Sequence, residues 1–128
     1  MLNASLLSII EEAGVGVLIL TEGLEQDEFL GSCLTRAETR RQVKAISNSI
    51  ANLAPSILST LVEVDWAGWQ TVARQLGGPD KTAEQDALWF AVRSLVPATL
   101  MWLRFYRKEQ PGIFECKPSL SGMNGSAP

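Results

Sequence analysis

Leu6, Ile10, Ala13, Val17 and Leu20 recur at intervals of three and four, the spacing that lines up side chains on one face of an α-helix. A strand over residues 15–20 is the competing reading, since Gly14 and Gly16 weaken a helix. The stripe begins well before that run and decides for a helix, with Gly23 as its stop. Residues 25–32 read as a short acidic helical turn with Phe29 and Leu30 facing inward. Thr35-Arg36-Ala37-Glu38 has the form of a capping box, in which a threonine oxygen takes an orphan amide and a glutamate reaches back. Behind it Val43, Ile46, Ile50, Leu53 and Ile57 form the clearest helical stripe in the chain, which Pro55 should break or kink near residues 53–55. Asp65 is placed to cap a third helix bearing Trp66, Trp69, Val72 and Leu76, ended by the turn cluster Gly77-Gly78-Pro79-Asp80. A second capping-box pattern, Thr82-Ala83-Glu84-Gln85, opens a long last helix. Leu88, Val92, Leu95, Thr99, Trp102 and Tyr106 follow one face of it, and Pro97 predicts a kink.

From Glu109 onward Gly, Pro, Ser and Asn dominate without periodicity, which predicts a disordered tail in which Ile113 and Phe114 dock. No strand alternation and no internal repeat interrupts the helical pattern. The expected fold is all-α: an up-and-down bundle of four to five helices over residues 1–108, with a flexible C-terminal tail over 109–128.

Composition fits this picture and narrows the chemistry. With 128 residues, 46% of them apolar and 20% charged, the chain is a single globular domain and not a disordered segment. A net charge of -3 gives no global attraction for nucleic acid or an anionic membrane, although a local basic patch remains compatible with it. Histidine is absent, and Cys33 and Cys116 lie far apart, so no Cys/His zinc site or disulfide framework is expected. The cysteine usage points to a reducing cytoplasm. The longest apolar run near the start, residues 15–20, is far short of a membrane span, and no basic stretch precedes it as in a signal peptide. Asp80, Glu84 and Asp86 cluster, but acids at a helix N-terminus ordinarily complement its dipole, so neither a metal nor a cofactor is expected.

Three groups of residues carry candidate binding chemistry. Arg36, Arg40 and Lys44 form a row at successive helical turns with Arg41 beside it, suited to RNA backbone or an acidic partner, or simply to a solvated face. Arg74 and Lys81 flank the glycine-rich turn, where a guanidinium can hold a phosphate or only solvate a loop. Asn48, between Ser47 and Ser49, either specifies helix pairing, lines a cleft or points to water. All four tryptophans fall on or beside an apolar stripe and read as core packing, with a binding role as the alternative for Trp69 and Trp102.

Several of these features, in order, resemble the HepT-like branch of the HEPN superfamily, the toxin half of bacterial HepT/MntA pairs. Phe29-Leu30 lies in an acidic turn after the first helix, and Leu53-Ala54-Pro55 stands where relatives have a Leu-Ser-Pro-like step. Trp66 after Val64-Asp65 matches an Ile-Pro-Trp, with Leu76 ten residues on. Trp89 opens the amphipathic part of the last helix, and Leu95-Val96-Pro97 is similar to an Asp-Leu-Pro. From Leu53 to Pro97 all fall in one register without a gap. The resemblance implies an all-helical homodimer and a nucleotidyltransferase-type protein partner.

The family's RNA-cutting chemistry rests on an arginine, a histidine five positions later and a tyrosine two beyond that, placed at a dimer cleft to move protons and hold phosphate charge. In the gapless register those positions hold Ala73, Gly78 and Asp80. A shift of one brings Arg74 onto the arginine position but puts Pro79 and Lys81 on the other two. The relatives' Gly-Glu-Ala reads here as Ser47-Asn48-Ser49, and the tyrosine thought to be AMPylated by the partner has no counterpart. The resemblance therefore implies fold and dimer habit without catalysis, and no catalytic residue is assigned. The expected function is a non-catalytic HepT-like homodimer that binds or regulates, as in a toxin-antitoxin-type system. One alternative is residual RNA binding or cleavage centred on Arg74 with Lys81, Arg36, Arg40 and Lys44; another is a purely structural interaction bundle.

Overall fold

The computed structural model describes residues 2–115. Its elements are α1 (Leu2–Thr21), α2 (Gln26–Gly31), α3 (Cys33–Ala51), α4 (Pro55–Thr60), α5 (Trp66–Leu76), α6 (Lys81–Phe90), a π-turn (Ala91–Leu95), α7 (Val96–Glu109) and a 3₁₀ turn (Pro111–Phe114). Among the described residues there is no strand.

The four long helical runs alternate in direction. Near the start of α1, Asn3 Oδ1 accepts from the Ala54 amide just past α3 at 3.0 Å, while Gly16 faces Gln42 farther along, so the two helices are antiparallel. Arg40 at one end of the α3–α5 contact donates to the Leu76 carbonyl at 2.9 Å, and Ile50 and Trp66 share a cleft at the other. The last run returns beside both α5 and α1: Trp69 Nε1 donates to Thr99 Oγ1 at 2.9 Å, Gly14 meets Leu100, and Glu11 pairs with Arg107. The fold is thus an up-and-down α-bundle, closed by α7 against α1.

Leu7, Ile10, Ala13 and Val17 of α1, Val43, Ile46 and Ile50 of α3, Trp69 and Val72 of α5, and Leu88, Leu95, Val96 and Leu103 of the last run fill its axis. Each fully buried aliphatic side chain stabilises the fold by about 1.5–3 kcal/mol relative to exposure. Trp69 is 1% exposed, so it is the core residue that its stripe indicates, and the alternative of a binding role falls away. Gly14 marks a close approach of α1 and α7, since a Cβ there would lie 2.9 Å from Leu100 Cδ2. Gly23 ends α1 at φ 78°, a left-handed conformation that glycine adopts without strain.

Both N-caps sit upstream of the expected capping boxes, and the capping box that does form is at Glu25 and Glu28 of α2. Ser32, not Thr35, caps α3, its hydroxyl taking the Thr35 amide at 3.4 Å. Asp80, not Thr82, caps α6, because one carboxylate oxygen accepts both the Thr82 and Ala83 amides, at 3.0 and 3.2 Å. A carboxylate that satisfies two orphan donors beside the positive end of the helix dipole outcompetes a hydroxyl that satisfies one. Asp65 caps α5 as expected, accepting from the Gly68 amide at 2.9 Å.

Pro55 ends the second stripe by starting α4 at its first position, where a missing amide hydrogen costs nothing. Pro97 is accommodated differently. An α-helix would set its ring against the Arg93 carbonyl, and the widened π-turn just before it lets the chain run on without a break. Within the expected tail, residues 111–114 form the 3₁₀ turn, in which Phe114 is buried and Ile113 packs against the core, the docking expected of both. Cys116 and the rest of the expected tail lie outside the described residues. By length and composition α1 is also longer and more apolar than the short run at residues 15–20 indicated, enough to cross a membrane, while nearly half of it is buried in the bundle.

Candidate functional site

Two recesses flanked by helices stand out, and only the first holds residues that the sequence singles out for binding. The first is a groove of about 330 Å³ between α3 and α6, lined by Cys33, Arg36, Arg40, Lys81, Glu84 and Leu88 among others. It brings together three of the cations that the sequence singles out. Their geometry, however, is already satisfied within the chain. Arg40 Nε donates to Glu84 Oε2 at 2.7 Å while its terminal nitrogen holds the Leu76 carbonyl, so one guanidinium ties α3 to the end of α5 and to α6. Arg36 donates to the Leu30 carbonyl at the end of α2 and lies 3.9 Å from Cys33 Sγ. Lys81 stands 3.9 Å from Glu84 with an exposed side chain.

The acidic partner of the basic row is thus the chain's own Glu84, whose side chain is only 10% exposed. Glu84 was legible as a site residue in one respect: it lies four positions before Leu88, in line with the inward stripe, where a carboxylate needs a cation. Lys44, one turn beyond Arg40, is exposed and belongs to no ion pair among the described residues. Arg41 turns to Glu38, whose carboxyl is held below the ordinary glutamate range by hydrogen bonds from Arg41 and then Gln42.

The positions that the HepT-like register assigns to chemistry do not converge. Ala73 lines a separate cleft of about 410 Å³ with Ser47, Pro55, Trp66, Trp69 and Gln70. Arg74 is exposed and reaches only Thr71 Oγ1, at 3.2 Å, and it does not line the basic groove. Gly78 and Pro79 belong to the turn before α6, and both capping bonds of Asp80 go to that helix. Asn48 is exposed, its carbonyl accepting from Asn52 Nδ2 at 2.8 Å, while Ser47 and Ser49 are buried. The hydroxyls of Ser47 and Thr39 are buried without a hydrogen-bond partner. Trp66 Nε1 is held by the Leu58 and Leu61 carbonyls, and Trp102 is half-buried among Phe105 and Tyr106. Among the described residues no three His, Cys, Asp or Glu side chains come together as metal ligands do.

The second recess, about 360 Å³, lies along the seam between α1 and the last helical run. Val15, Leu18, Ile19, Thr21, Glu22 and Gly23 line one side, with Val92, Arg93 and Pro97 on the other. Ile19 is 69% exposed, Met101 54% and Val15 48%. Sequence reading missed this seam because it lies between two helices at opposite ends of the chain, which no local periodicity connects.

No family model matches this chain, and no solved structure matches it.

Proposed function

We propose that the chain is a non-catalytic HepT-like homodimer that works by binding, as a regulatory subunit in a toxin-antitoxin-type system with a nucleotidyltransferase-type protein as its partner class. What supports the family part is the order of Phe29-Leu30, Leu53-Ala54-Pro55, Trp66, Leu76, Trp89 and Leu95-Val96-Pro97, in one gapless register from Leu53 to Pro97. One observation carries the non-catalytic part. The three family positions hold Ala73, Gly78 and Asp80, of which Gly78 lies in a turn and Asp80 caps α6. A ribonuclease that proceeds through the ribose hydroxyl needs a proton acceptor and a cation within reach of one phosphate. The chain has no histidine, and Arg40, the best-placed cation of the basic groove, is bound to Glu84.

The test is an RNA-cleavage assay of the purified protein with transfer RNA and total RNA, beside an Arg74→Ala variant prepared identically. The proposal expects no cleavage by either at high protein concentration. Cleavage by the wild type that the variant loses would replace this reading with a nuclease built around Arg74.

A further inference from the structure

Along α1 the exposed positions Glu12, Val15, Ile19 and Glu22 follow one another at three- and four-residue steps, an acid at each end of two aliphatic side chains. Across the seam the exposed positions Arg93, Pro97, Met101 and Arg104 repeat the pattern with bases at the ends. The two rows run antiparallel and level with each other. Glu22 and Arg93 line one recess, Gly14 meets Leu100, and Glu11 pairs with Arg107. Leu2–Thr21 contains no lysine or arginine, whereas the facing run from Ala91 to Lys108 contains no aspartate or glutamate.

Glu12, Glu22, Arg93 and Arg104 take part in no ion pair among the described residues, although each exposed row has its opposite charge on the neighbouring helix. Arg93 instead lies over the Trp89 ring, 5.6 Å from its centroid. A surface with an acidic half, a basic half and an apolar strip between them is complementary to itself. We infer that the α1–α7 seam is the face on which a second copy of this chain docks, about a two-fold axis lying in the interface parallel to the helices.

The charges select that axis. A two-fold parallel to the seam lays α1 of one copy over α7 of the other at the same level, so Glu22 meets the second copy's base at position 93 and Glu12 the one at 104. Both aliphatic pairs then meet on the axis and are removed from water together. A two-fold perpendicular to the helices would set α1 on α1 and α7 on α7, acid on acid and base on base, which is repulsive at all four corners. The inference rests on the homodimer reading above for the second copy as occupant, and it puts the two-fold on a different face from the recess that Ala73 lines, so this dimer does not join the family's three positions in one cleft.

Sedimentation equilibrium of the full chain across the micromolar range tests it, with helicity and melting temperature recorded for every variant. The wild type should be dimeric. Ile19→Glu, at a position open to solvent, should keep its fold and weaken dimerisation by about a hundredfold or more. Glu22→Arg alone should weaken the dimer, Arg93→Glu alone should do the same, and the double reversal should recover it. A wild-type monomer would overturn this face and the homodimer reading together. A dimer indifferent to Ile19→Glu would overturn the face and leave the homodimer standing, and a dimer strengthened by Glu22→Arg alone would overturn the axis.

Discussion

The groove between α3 and α6 and the seam between α1 and α7 are built from the same materials, bases beside acids over an apolar floor, and they differ in where the charges find their partners. In the groove Arg40 reaches Glu84 inside the chain, at 2.7 Å and with the carboxylate nearly buried. Along the seam only Glu11 and Arg107 meet, and Glu12, Glu22, Arg93 and Arg104 stand exposed. The groove therefore acts as a clasp that fixes three helices, and the seam as a surface with unsatisfied complementarity. A basic row in a sequence reports the presence of cations, and only the position of the nearest carboxylate distinguishes a clasp from a docking face.

The contrast breaks most visibly at Arg40. Arg40→Leu strands the Glu84 carboxylate and the Leu76 carbonyl, and should lower unfolding free energy by about 2 kcal/mol in a urea titration, a figure moderated by the half-open guanidinium. Glu84→Gln with the arginine intact should cost less, since a carboxamide still accepts the bond. Gly14→Val tests the floor of the seam: the new side chain meets Leu100, pushes α1 from α7, and should cost about 1–2 kcal/mol by the same measurement. Met101→Lys, on the exposed surface, should leave monomer stability within about 0.5 kcal/mol when measured in dilute solution. Arg74→Ala should likewise leave the melting temperature unchanged, since its one hydrogen bond lies at the surface.

The smallest expected effect is that of Glu38 with pH. Its folded pKa is depressed by the Arg41 and Gln42 hydrogen bonds, so whatever stability it contributes is complete above the ordinary glutamate value and is lost as pH falls through the lowered folded one. Carboxyl chemical shifts followed through an acid titration should show Glu38 protonating after the ordinary glutamates. Glu38→Gln should abolish that late titration without a measurable change in melting temperature near neutrality, because the pair is exposed.

Most of the fold was legible in the sequence because helical periodicity is a local signal: α1, α3 and α5 lie under their apolar stripes, and Asp65, Pro55 and Gly23 act where their chemistry places them. The two misplaced caps show the limit of pattern reading. Thr82 and Asp80 can both serve as an N-cap, and the double acceptance by the Asp80 carboxylate, a matter of geometry, decides between them. The π-turn before Pro97 is a second case, since a proline predicts a disturbance without saying whether the helix bends, breaks or widens. The site was less legible than the fold. The Arg40–Glu84 pair spans 44 residues, and the seam comes from two helices at opposite ends of the chain, neither of which is a local pattern.

Hydrogen exchange across a concentration series compares the two regions in one experiment. Raising the concentration from dilute to dimeric conditions should add protection at residues 12–22 and 93–104, while the groove at residues 33–40 and 81–88 stays as it was. Protection gained in the groove with none along the seam would contradict the account, because it would show that the face closed by Arg40 and Glu84 is the one that meets a partner.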